Sequence, residues 1–261
     1  MAKVELVIVF KSNAVNWRAH LLGRVVGIAL IIAMAVVAQA VPLVQFVHQW
    51  YPLATIALFY WELSFLATLV YPDVLDSKLI DWEERIFKCQ PSLRFSERYQ
   101  SIAFSEYLHL SYLLYYLVLV ALPIQYYLSG AMPSFYAVVF AEAFVFYACL
   151  VCYIFFPIAG PRYMFPKNET IVQGGPICRY THRMLENNSS KGTACPSSHV
   201  AMVSIVFFYA VYLQSGLAWL ILPVWFGVSI GVVYCRFHYA LDAILGLLMA
   251  LGCFLLLTSV I

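Results

Sequence analysis

The stretch SFYAVVFAEAFVFYACLVCYIFFP, residues 134–157, carries a single carboxylate and no basic side chain. A helix needs about 20 consecutive apolar residues to cross a bilayer. In lipid every backbone N–H and C=O has to find its partner within the protein, which admits only helices and closed barrels. Barrel strands alternate apolar and polar residues, and this run does not. Comparable runs recur at about residues 24–45, 52–71, 103–128, 198–214, 217–234 and 239–261. The whole chain is 64% hydrophobic and 11% charged, where a soluble domain carries about 25% charge. The expected fold is therefore all-α: a polytopic membrane helical bundle of six to seven transmembrane helices, forming one domain over residues 1–261.

Two polar regions interrupt the apolar runs. The first, YPDVLDSKLIDWEERIFKCQPSLRFSERYQ, spaces Val74, Leu75, Leu79, Ile80, Trp82 and Ile86 so as to predict a short amphipathic surface helix. The second runs from Ala159 to Pro196. Its Gly160, Pro161, Pro166, Gly174, Gly175 and Pro176 predict a loop, and a loop this long in a compact protein is commonly functional or disordered.

A net charge of +2 gives no reason to expect a nucleic-acid partner. The first apolar run lacks a small-residue cleavage pattern and reads as a retained helix. Every Lys and Arg falls on one side of the layout, which the positive-inside rule makes cytoplasmic. Sequons at Asn168, Asn187 and Asn188 lie on the same side and matter only if it faces a secretory lumen. Of the seven cysteines, Cys149 and Cys152 form a CxxC inside an apolar run and read as small core residues. Cys178 and Cys195 would pair only in an oxidising compartment. Glu106 and His109 make one Glu-x-x-His, with Glu62 and Glu142 in other runs; a di-iron site would use two such motifs, so hydrogen bonding to neighbours or a head group is expected instead. The run YLHLSYLLYY reads as an interfacial aromatic belt. Gly227 and Gly231 form a small-xxx-small pair that suits close helix packing.

Three polar clusters remain: GPRYMFP, TACPSSHVAM and CRFHYALDA, each at a junction of loop and apolar run and all on one side. Ser197 is placed as an N-cap with Ser198 and His199 in the first turn. The free N–H groups and positive helix end there suit an anion. His238 and Asp242 are four apart and share a helix face. Asp242 can accept from one imidazole nitrogen, fixing the tautomer and making the other nitrogen a better nucleophile. Arg236 and Arg162 offer planar forks for phosphate oxygens. Singly, an interfacial His is an ordinary hydrogen-bonded anchor and an Arg at a helix end snorkels; the specificity lies in their co-occurrence. Together they are the parts for phosphoryl transfer through a phosphohistidine. The arginines and helix end neutralise the developing charge, so no metal or cofactor is called for.

CPSSHVA resembles the Pro-Ser-x-His motif, and YCRFHYALDAILG the His-xxx-Asp motif, of the type 2 phosphatidic-acid phosphatase superfamily. The resemblance covers about residues 72–250. It implies a lipid phosphate as substrate, His238 as nucleophile supported by Asp242, and His199 as the acid that protonates the leaving group. It also implies an extracytoplasmic site, against the charge distribution. The common pattern has a Lys seven residues before the first-motif Arg, where this chain has Phe155, and an Arg six residues before the last His, where it has Val232. The forms Arg-x-His-Tyr-xx-Asp and GPRxxFP, with LDSKLIDWEERIF and SEYLHLSYLLYY upstream, look like the branch containing inositol-phosphorylceramide synthases. That branch moves a phospho-alcohol head group to a lipid acceptor. A non-enzymatic carrier of lipid phosphates is the contrasting expectation.

Overall fold

The computed structural model describes residues 17–70, 73–165, 174–188 and 191–260, and all of its regular structure is helical. Among the described residues eleven helices follow one another: α1 (Trp17–Val37), α2 (Pro42–Val70), α3 (Asp76–Phe87), α4 (Pro91–Arg98), α5 (Ile102–Leu128), α6 (Met132–Phe155), α7 (Pro161–Met164), α8 (Pro176–Asn188), α9 (Ser198–Tyr212), α10 (Ala218–Tyr234) and α11 (Ala240–Val260). The chain divides into two compact units, residues 1–61 and 62–261. The first holds α1 and most of α2; in that helix Pro52 sits inside the 29 residues. The second holds everything that follows.

In the second unit α9 packs against α5, α6, α10 and α11. Its 15 residues are apolar on every side, and Val200, Ala201, Met202, Val203, Ile205 and Val206 are all buried. A helix that is hydrophobic all round belongs in a core or a membrane; here neighbouring helices cover its first three turns, while Val211 and Tyr212 at its end are exposed. Gly246 on α11 makes one of these contacts possible, since a Cβ there would collide with the Ser197 carbonyl oxygen. The expected Gly227/Gly231 pair packs α10 on α5. A Cβ on Gly231 would lie 3.3 Å from both Cβ and O of Leu108, and one on Gly227 would overlap the Ser111 side chain.

Three described helices are long and apolar enough to cross a membrane: Ile102–Leu128, Met132–Phe155 and Ala240–Ser259. That is fewer than the six to seven spans expected. Leu21–Val37, Ser198–Tyr212 and Ala218–Tyr234 are apolar but shorter. At 15 residues α9 is roughly 22 Å long, below the ~30 Å hydrocarbon thickness. The apolar sequence there reads on into turn residues such as Leu213, where the helix has ended.

The amphipathic surface segment is present as two helices, α3 and α4, the break falling before Pro91 at N1 of the second. The polar region 159–196 is not wholly a loop, because α8 occupies Pro176–Asn188. Gly174-Gly175-Pro176 is a helix start with Pro at its first position, and Cys178, Thr181 and Leu185 form its buried stripe. The Asn168–Thr170 sequon, Pro166, and Ser189 and Ser190 of the other two sequons lie outside the described residues, as do Lys3 and Lys11.

Helix α3 carries two fully buried carboxylates, Asp76 and Glu83. Glu83 Oε1 accepts the Leu241 N–H at 3.0 Å and so caps α11. Burial raises its carboxyl from 4.5 to about 7, against the pull of the Leu241 and Ala240 amides. The folded chain therefore holds a proton that the unfolded chain releases above pH 4.5. This contribution to stability is complete below that pH, is lost as the pH rises to about 7, and is level beyond. Its span is on the order of 3 kcal/mol. Glu83→Gln keeps an acceptor for Leu241 and never ionises, so its Tm in detergent should change less between pH 5 and pH 8 than the wild type's, which should fall.

Candidate active site

The GPR turn is built by a buried carboxylate that the motifs do not contain. Asp76 Oδ2 accepts the Ala159 N–H at 2.7 Å, Oδ1 accepts the Gly160 N–H at 2.8 Å, and Tyr239 Oη donates to Oδ1 at 3.0 Å. One side chain thereby ties α3 and the GPR turn to the start of α11. Gly160 has φ 100° and ψ 161°, a conformation essentially closed to other residues. A Cβ there would also stand 3.0 Å from the Phe237 carbonyl oxygen. The GPR and CRFH stretches thus meet backbone to backbone.

The PSSH turn docks on the same floor. Ser197 is the N-cap of α9, its Oγ accepting the Val200 N–H at 3.4 Å, while its own N–H donates to the Asp242 carbonyl at 2.9 Å. Tyr153 Oη accepts the Ser198 N–H at 3.2 Å and donates to the Pro196 carbonyl at 2.8 Å. Protein groups therefore take more of this helix start than the free-amide expectation allowed; among the described residues the His199 N–H is left for an anion. Both serines are buried.

His199 and His238 face one another with ring centroids 5.7 Å apart. His238 Nδ1 donates to the Ala194 carbonyl at 2.9 Å and lies 3.5 Å from Asp242 Oδ2. Because a carbonyl can only accept, Nδ1 carries the proton and Nε2 is the basic nitrogen of the neutral ring. Asp242 was expected to orient the ring; the shorter bond goes to Ala194, and Asp242 adds charge beside it. Asp242 Oδ2 also accepts the Tyr239 N–H at 3.0 Å, the return half of a capping box on α11. Ala194 is itself fixed by its N–H bond to the Ile158 carbonyl, 2.9 Å, one residue before the GPR turn region begins at Ala159.

The two arginines are not gathered with the histidines in the same way. Arg162 on α7 lies with its guanidinium carbon 5.3 Å from the Tyr163 ring centroid, and Lys191 Nζ is 5.2 Å from the same ring. Arg236 adopts φ 60°. It is the left-handed residue of a Schellman turn ending α10: its N–H donates to Val233 O at 3.0 Å and that of Phe237 to Val232 O at 2.9 Å. Glycine normally fills that position; a non-glycine there is strained, and such strain concentrates at functional sites. The Arg236 side chain turns to α4, where Nε donates to Ser96 Oγ and Nη2 meets Glu97 Oε1, both at 3.2 Å. Burial lowers its pKa and Glu97 opposes that shift. Its side chain is 9% exposed and that of Glu97 63%, so the pair opens to solvent at the carboxylate end.

Several of these residues escaped the sequence reading. Tyr112 Oη lies 2.8 Å from His199 Nε2, and the Tyr115 ring centroid is 4.9 Å from that of His199. Both tyrosines are buried, which corrects the expected aromatic belt for this pair; Tyr116, by contrast, is exposed. Three-residue spacing puts Tyr112 and Tyr115 on the α5 face that meets α9. Glu106 accepts the Ile177 and Cys178 N–H groups, each at 2.9 Å, so the Glu-x-x-His motif bonds to neighbours as expected. Cys178 and Cys195 are both free thiols, and Cys149 is a buried core residue beside half-buried Cys152.

The site is thus a helical bundle with candidate membrane spans that holds two histidine rings near one another and a carboxylate behind one of them. A family model described as the PAP2 superfamily matches residues 77–256, more than half of the chain, and the protein belongs to that superfamily. Phosphatase or phosphotransferase activity follows at the level of the family. No curated protein and no solved structure matched the chain.

Proposed function

We propose that the protein is a multi-pass membrane enzyme that cleaves or transfers the phosphoryl group of a lipid phosphate through a phosphohistidine. The observation that carries this reading is the facing pair: His238 with its Nδ1 proton committed to Ala194, and His199 with its ring centroid 5.7 Å away. The lone pair on His238 Nε2 attacks phosphorus, and the bond to the leaving oxygen breaks as His199 gives that oxygen a proton. Asp242 stabilises the positive charge that His238 gains. His199, now neutral, takes a proton from the acceptor hydroxyl. That oxygen attacks phosphorus, and the P–N bond returns its electrons to His238. The His199 N–H with Ser197 and Ser198, Arg162, and Arg236 after exchanging Glu97 for phosphate, hold the transferred group.

Water as acceptor makes a phosphatase; a lipid hydroxyl makes a transferase. The Arg-x-His-Tyr-xx-Asp form favours the second, in the manner of the inositol-phosphorylceramide-synthase branch, where a phospho-alcohol is the group moved. The test is a panel of lipid phosphates and phospho-alcohol lipids given to the full chain in detergent, with no divalent cation added. Free phosphate and lipid products are both measured. Turnover with either product is expected. Saturable binding of a lipid phosphate with no product across the panel would make the protein a carrier and overturn the proposal.

A further inference from the structure

Next to Phe237, whose ring centroid is 5.9 Å from that of His109 and 5.3 Å from that of His182, lies a second group of metal-binding side chains. His109 Nε2 and His182 Nε2 are 3.3 Å apart. Cys178, one turn before His182 on α8, completes a set whose ligand atoms all lie within 4.8 Å of one another. His109 and Cys178 are fully buried. Nothing in the proposed phosphoryl transfer uses any of the three.

The geometry is that of a coordination site in three respects. Two nitrogens each about 2.0–2.1 Å from a tetrahedral zinc stand about 3.3 Å apart, which is the spacing of these imidazoles. His109 Nδ1 donates to the Ser105 carbonyl at 2.7 Å, with Ser105 Oγ at 3.3 Å. This fixes the proton on Nδ1 and presents the Nε2 lone pair to His182, as metal-bound histidines are held by the groups behind them. The third ligand is a thiol four residues from its partner histidine on one helix, on the same face. Cys235 Sγ, 3.7 Å from His109 Nδ1, stands behind the ring and outside the set. Glu106, which holds the Ile177 and Cys178 amides, fixes α8 against α5 and keeps the thiol at this place.

We propose that Cys178 Sγ, His182 Nε2 and His109 Nε2 bind one zinc ion, which staples α8 to α5 and leaves its fourth position to a water or other small ligand. Binding releases the thiol proton to solvent, so the site gains a thiolate as it gains the metal. The ion is a fastener next to the catalytic histidines and takes no part in the phosphoryl steps, so its test needs no turnover and is independent of the proposed reaction.

The untagged full chain in detergent, freed of metal, is titrated with cobalt(II) chloride and then with zinc chloride. One equivalent of cobalt is expected to saturate the protein and to give a thiolate-to-cobalt charge-transfer absorption, which zinc abolishes. Cys178→Ser should lose that absorption, and His182→Gln or His109→Gln should weaken binding by at least about tenfold. Cys178→His guards against a fold defect: it should still bind cobalt but without the charge-transfer feature. Absence of the absorption in the wild type at saturating cobalt, or its survival in Cys178→Ser, would overturn the assignment.

Discussion

Replacing His238 with alanine should lower kcat with the best lipid phosphate by about 10⁴- to 10⁶-fold, the scale on which enzymes lose a covalent nucleophile. His199→Ala should lower it by about 10²- to 10⁴-fold, the usual share of a general acid. The two deficits differ in kind. The His199 variant should recover most of its first-step rate with a substrate whose leaving group departs without protonation, such as a nitrophenyl phosphate, and should then accumulate acid-labile phosphoprotein. The His238 variant should do neither. Folding of each is checked by its elution in detergent and its Tm. A loss below tenfold in His238→Ala would remove that residue from the nucleophile's role, and an equal response of both variants to the leaving group would remove the division of labour.

Asp76→Ala should be the most damaging change outside the motif histidines. It strips three donors, the Ala159 and Gly160 amides and the Tyr239 hydroxyl, of a fully buried acceptor. Stranded buried donors cost about 1–3 kcal/mol each, so the variant should lose several kcal/mol and fall in Tm. Asp76→Asn should rescue little, because its NH₂ group would face a donor. Asp76 touches no reacting atom and acts by positioning Arg162 and the first turn of α11. Its variants should raise KM and lower kcat together while the shape of the pH–rate profile stays that of the wild type. A changed profile with an unchanged KM would mean that Asp76 takes part in proton transfer instead.

These residues also mark how far the sequence could be read. His199, His238 and Asp242 were legible because their spacing is local: an i,i+4 pair and a helix start each declare themselves within a few residues. Asp76 lies more than eighty positions from the amides it holds, and nothing in LDSKLIDWEERIF distinguishes it from an ordinary acidic residue at a helix start. The Ala194 carbonyl that fixes the His238 tautomer is a backbone atom, which no residue type signals. Tyr112 was hidden for another reason. Its neighbours make a run that fits a membrane interface equally well, and only the docking of α5 on α9 separates the two. Helix α8 was hidden because Gly174, Gly175 and Pro176 are loop formers by composition, yet by position they begin a helix. Among the described residues three helices have spanning length, and α9 falls short of it because the hydropathy pattern reads on through turn residues such as Leu213, where the helix has ended.

Phe237 packs against His109, His182 and Tyr112. Its ring centroid is 5.9 Å from that of His109, 5.3 Å from that of His182 and 4.9 Å from that of Tyr112, whose Oη lies 2.8 Å from His199 Nε2. A hydrocarbon ring offers no lone pair and no exchangeable hydrogen. It therefore carries no proton between the His109 and His182 rings and Tyr112. In the proposed reaction the proton that His199 gives or receives therefore passes to substrate or acceptor, since Phe237 has no atom that could take it.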